Sequence, residues 1–219
     1  MPSPGVIVAI AVFLIATAII AYAGVRFVNA PVRTFVILFI LGAVWSGVSF
    51  LADQISYAHN ILPGNRLRET ALYSLVMAGG VRETGKFLIL MILLYNRSTF
   101  RTSSDGIINT IVIAFGFTTG FVLLSDLFSS LAMEPTRALL TLPANMVTAI
   151  ILGFFTGLAK QRGNSYLDAL TGLAAAVFFH AIYEFCLLVS DYMLILLFFS
   201  GSIVIAAILT YKAFTASTK

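Results

Sequence analysis

The sequence predicts an all-α membrane protein, a bundle of seven transmembrane helices. Three observations carry that expectation. Hydrophobic residues make up 60% of the chain and charged residues 10%. The mean hydropathy is +1.02. The apolar residues also fall into seven runs, each near the length that crosses about 30 Å of hydrocarbon. A soluble domain of 219 residues has no room to bury that much apolar surface. The formal charge of +4 sits in the connections, so the bilayer rather than nucleic acid is the expected surroundings. One cysteine, Cys186, excludes a disulfide framework.

The runs span about 5–27, 34–56, 70–95, 107–132, 138–159, 167–190 and 192–212, and residues 1–219 read as a single transmembrane domain. The first ends near Ala21-Tyr22-Ala23, which resembles a small-residue cleavage site. "MPSPG" before it carries no basic residue and the run is long for a signal, so a retained helix is expected. The longest gap, "SYAHNILPGNRLRE", holds Pro63-Gly64, a turn signal. Asp53 and His59 are placed in a loop and receive no role. Tyr57, Tyr95 and Tyr166 lie near helix ends and read as interfacial anchors.

Loop charges set the expected orientation. Arg26 and Arg33 flank the first connection, Arg97 and Arg101 the third, and Lys160 and Arg162 the fifth; Lys212 and Lys219 follow the last helix. The fourth (Glu134, Arg137) and sixth (Asp191) carry no basic excess, although Arg66 and Arg68 break the pattern in the second. This places the N-terminus outside and the C-terminus inside a cytoplasmic-type membrane.

The third run, within "SLVMAGGVRETGKFLILMILLY", carries Arg82, Glu83 and Lys86 at membrane depth, where ionisable groups are costly. In the sixth, "FFHAIYEF" puts His180 and Glu184 at i, i+4, on one helix face. The fourth carries Thr118, Thr119 and Asp126, and the fifth Pro143, Asn145 and Thr148. Runs one, two and seven contain almost no polar group, so one polar pocket built by four helices is expected. "AGG" (Ala78 to Gly80) and "GFTTG" (Gly116 to Gly120) are small-residue stretches suited to close helix packing.

At these residues the sequence resembles the PrsW-type intramembrane proteases, from Gly80 to about Lys212. "RETGK" occupies the place of a Glu-Glu-x-x-Lys or Glu-Glu-x-x-x-Lys signature. "DGIINTIVIAFGFTTGF", with Phe117 as its aromatic, is similar to a Phe-x-x-x-Glu motif after an Asp-Gly loop. "HAIYE" is similar to His-x-x-x-Asp. Against that pattern Arg82 replaces the first Glu and Phe121 a Glu. Asn145 replaces a His, and Glu184 the final Asp. The arrangement also resembles, more distantly, the seven-helix scaffold subunit of γ-secretase, which keeps such a fold without paired glutamates.

The resemblance implies two functions. The altered positions Arg82, Phe121 and Asn145 favour a non-catalytic scaffold, a subunit that binds a transmembrane helix of a partner. The alternative is an active endopeptidase of transmembrane substrates using Glu83, Lys86, His180 and Glu184, with Phe117, Thr118, Thr119 and Asp126 as binding residues. Hydrolysis at depth needs an activated water and an oxyanion stabiliser. Glu83 suits the base, His180 the acid, and Lys86 or Arg82 the stabiliser. A divalent metal would need Glu83, His180 and Glu184 together. Arg82 disfavours a cation there, and no cofactor is expected. Arg82 is expected to pair with Glu83 or Glu184, and Glu184 with Asp126 to neutralise the surplus charge. Below Lys86, "FLILMILLY" offers no polar group, which argues against a through-path for ions or protons.

Overall fold

The structure is a computed structural model that describes residues 6–7, 10–15, 18, 31–58, 66–128 and 135–216. The rest of the first apolar run, with Ala21–Ala23 and Arg26, lies outside the described residues. So do His59, Pro63, Gly64, Glu134 and Lys219. Among the described residues every regular element is a helix, without strands. The long helices are α1 (Val32–Ala58), α4 (Ser103–Phe128), α5 (Pro135–Gln161), α6 (Tyr166–Val189) and α7 (Tyr192–Ala216). Between α1 and α4 a composite rod runs through α2 (Leu67–Tyr73), a π-helix (Ser74–Val81) and α3 (Arg82–Leu93).

Among the described residues five helices are long and apolar enough to cross a membrane: Val32–Ser56, Ser103–Phe128, Leu140–Gln161, Tyr166–Val189 and Met193–Ala216. The chain is a multi-pass helical membrane protein.

Local chemistry explains where the helices start. Thr102 and Asp105 cap α4 reciprocally. Asp105 Oδ2 accepts from the Thr102 amide at 2.9 Å, and Thr102 Oγ1 accepts from the Asp105 amide at 3.2 Å. The Asp-Gly pair expected in a loop therefore lies in the first turn of α4. Ser165 caps α6 by accepting from the Asp168 amide. Asp191 Oδ1 accepts from the Met193 and Leu194 amides at 3.0 and 3.1 Å and so caps α7. Ser190, with φ of 58°, makes the left-handed turn that ends α6.

α4 is the axis of the bundle. It packs on α1 where Gly116 leaves room for the Phe39 carbonyl and Gly42 for that of Ile113. It packs on α5 where Gly106 and Gly153 face each other's carbonyls. In lipid, attraction between helices comes from close packing, and small residues permit it. Gly79 in the π-helix leaves room for the Val177 carbonyl of α6 in the same way, 2.5 Å from where a Cβ would stand. Tyr95 is not an interfacial anchor. It is 2% exposed, packed against Phe100 and Tyr166, with Lys160 Nζ 5.0 Å above its ring. Tyr166 keeps an exposed face.

The axial packing gives a paired test. Gly106→Val forces a side chain into the Gly153 backbone and should destabilise by about 2–3 kcal/mol. At Gly201 nothing lies within 4 Å of where a Cβ would stand, and Gly201→Ala should leave stability unchanged or raise it by up to about 1 kcal/mol. Equal thermal unfolding of both variants in detergent would refute the close α4–α5 contact.

Candidate functional site

The composite rod sets the site. α2 runs into the π-helix, whose i→i+5 bonding shifts the face that the following α3 presents. The junction is pinned by α1: Trp45 Nε1 donates to the Val81 carbonyl at 3.1 Å. Gly85, one turn on, lacks the Cβ that would overlap the Trp45 ring. Consequently Arg82, Glu83 and Lys86 all point inward, at 4%, 0% and 0% exposure.

Two linked clusters result. In the first, Glu83 Oε1 gathers three neighbours. Lys86 Nζ donates to it at 2.6 Å, Thr148 Oγ1 donates at 3.0 Å, and His180 Nδ1 lies at 2.5 Å. Lys86 Nζ also donates to Asn145 Oδ1 at 2.8 Å, while the Asn145 amide donates to the Thr141 carbonyl at 3.0 Å. Asn145 thus ties the helix around Pro143 to the ammonium. Glu83 Oε2 is buried and has no hydrogen-bond partner among the described residues.

In the second cluster Arg82 bridges two carboxylates. Nη1 donates to Glu184 Oε2 at 3.2 Å and Nη2 to Asp53 Oδ2 at 3.1 Å. Tyr73 Oη donates to Asp53 Oδ1 at 3.1 Å. The guanidinium stacks 4.5 Å from the Phe121 ring, and Phe121 stacks on Phe117 at 5.6 Å. Lys86 Nζ lies 5.4 Å from the Phe117 ring, so both cations rest on one aromatic pair.

Most of the sequence-designated residues therefore meet. His180 and Glu184, one turn apart on α6, reach Glu83 and Arg82 as the i, i+4 spacing implies. Arg82 goes to Glu184, one of its two expected partners, and not to Glu83. The second carboxylate on Arg82 is Asp53. Asp126 lies two turns beyond Thr119 toward the end of α4. Thr118 is buried, and Thr119 Oγ1 donates to the Phe115 carbonyl in its own helix. Sequence reasoning misses Asp53 by placing it in a loop. It lies inside α1, eight residues after Trp45 and so on the α1 face toward the rod. The pocket accordingly has five walls, not four, since the supposedly apolar second run supplies Trp45 and Asp53.

An all-helical membrane bundle whose centre holds carboxylates, a histidine, an ammonium and a guanidinium defines a class: polytopic proteins with a polar site buried inside the bundle. The sequence pattern described as "PrsW family intramembrane metalloprotease" matches residues 30–211, and the chain belongs to that family. Protease PrsW of Clostridioides difficile (strain 630) is 28% identical over 173 residues, covering 75% of this chain and 71% of that protein. Protease PrsW of Shouchella clausii (strain KSM-K16) is 27% identical over 176 residues, covering 78% and 79%. No solved structure matches the chain.

The Arg82 bridge has a measurable consequence. Removing one partner of a buried ion pair strands the other charges, at a cost of about 3–5 kcal/mol. Arg82→Met should lose stability in that range, and the further changes Asp53→Asn and Glu184→Gln should restore part of it. Unfolding in detergent reads this. A loss below about 0.5 kcal/mol for Arg82→Met, the size of a surface substitution, would contradict the bridge.

Proposed function

We propose that this chain is a non-catalytic member of the PrsW family, a multi-pass scaffold of the cytoplasmic membrane that binds a transmembrane helix of another protein. Its termini lie outside (N) and inside (C), as the loop charges suggest. One observation carries the reading: Arg82 stands where the family pattern has a Glu, and Phe121, where it has another, lies beneath the guanidinium. Two carboxylate positions are replaced by a cation and the ring that receives it. The exchange is mutually consistent and supports a site kept for its packing.

The donors do not suit a catalytic divalent ion. Glu184 is engaged by Arg82, and the Lys86 ammonium sits 2.6 Å from the Glu83 oxygen that also faces His180. No three His, Cys, Asp or Glu gather into a metal-holding group among the described residues. Along the outside of the bundle, α6 and α7 leave an apolar groove lined by Phe179, Ile182, Cys186, Leu197, Gly201 and Ile205. The open face of Gly201 lets another backbone approach, which suits a membrane-spanning helix.

One observation favours the second reading, an active endopeptidase. Glu83 has a free buried oxygen, and His180 holds the other, as a general base for water requires. In that reading Lys86 holds the oxyanion and Glu184 orients Arg82.

Proteoliposomes with a panel of single-span substrates discriminate the two. The wild type should give no more cleavage than Glu83→Gln, and Arg82→Glu tests whether restoring the carboxylate restores activity. Cleavage by the wild type that Glu83→Gln abolishes would overturn the scaffold reading.

A further inference from the structure

Beyond that reading, and whichever way it falls, the seam between α1 and the π-helix has polar chemistry the ion pairs do not use. Trp45, Ser49, Asp53 and Ser56 recur at i, i+4, i+8 and i+11 and share the α1 face toward the rod. The seam is fixed at one level by Trp45 on the Val81 carbonyl and at another by Asp53 on Tyr73 and Arg82.

Hydroxyls in apolar helices ordinarily bond the carbonyl one turn back. Thr110, Thr119, Thr156, Ser202 and Thr210 do so here, at 2.7–2.9 Å. Ser49, Ser56 and Ser74 do not. Each is at most 1% exposed, and its Oγ has no hydrogen-bond partner among the described residues. Nε of Arg82, beside the same seam, is likewise buried without a partner. An unpaired hydroxyl in a dry interior is costly, and Ser49, Ser56 and Nε of Arg82 along this seam point to an occupant. It must donate and accept in turn, and it must be small enough to lie between packed helices. Water meets both conditions.

We propose that this seam is a binding site for a short file of water molecules, running from Ser56 past Asp53 and Ser49 to Nε of Arg82. Asp53 forms its mouth: its side chain is 17% exposed, against 4% for Arg82. The file hydrates the Arg82 bridge, and the eight-residue π-helix is the wall opposite α1.

Two measurements on the full chain in nanodiscs test the site. In a Cys186→Ala background, Ser49→Cys and Ser56→Cys are exposed to a cationic methanethiosulfonate. A thiol in contact with water reacts as thiolate and a dry one does not, so each should react at least about tenfold faster than Val44→Cys, on the lipid-facing side of α1. Rates equal to that control would overturn the proposal. The unaltered chain gives an independent reading: amides of residues 74–81 should exchange with deuterated water at least about tenfold faster than those of 86–93. Equal protection of both segments would count against the file even if a cysteine variant failed to fold.

Discussion

Taking charge out of water is the constraint from which the centre of this bundle follows. Each ion moved into a membrane-embedded interior costs several kcal/mol after relaxation. Arg82, Glu83, Lys86 and Glu184 are all buried, with Asp53 at the edge. Such a set persists where each charge meets its counter-charge at hydrogen-bond distance. That requirement fixes α1, α3 and α6 relative to one another through Arg82. It fixes α3, α5 and α6 through Glu83 and Lys86. The aromatic pair on α4 closes the remaining side. The polar centre therefore specifies register among helices whose apolar surfaces, lying in lipid, have little preference of their own.

Close approach of backbones makes those short distances possible. α4 touches α1 and α5 through glycines that leave no side chain between the helices. The α1 contact brings Trp45 against Gly85, so the rod lies near enough for Asp53 to reach Arg82. Packing and electrostatics act here as one arrangement: widening either glycine contact would lengthen the ion pairs and strand the charges.

Family membership and local chemistry pull in different directions at this site, and the difference rests on particular side chains. The relatives are named as proteases, and Glu83 with His180 keeps a pair suited to a general base. Arg82 over Phe121 supplies charge and shape opposite to a second acidic group at that depth. The two features sit on consecutive residues of one helix, each facing a different residue of α6.

The sequence by itself determined the class of fold. Seven apolar runs, three ionisable residues inside one of them and the i, i+4 pair on another were all legible, because helix periodicity and the cost of buried charge act locally. It also gathered Glu83, His180, Lys86, Asn145, Arg82 and Glu184 into one polar pocket. It did not reveal Asp53, because a carboxylate near the end of an apolar run looks the same whether the helix stops before it or continues beyond it. Nor did it reveal the π-helix, which arises where Gly79 meets the α6 backbone and Trp45 meets the Val81 carbonyl. Only the tertiary structure decided which carboxylate each cation would take. Partner choice depends on distances between helices, and those are set by glycine contacts far away in the chain.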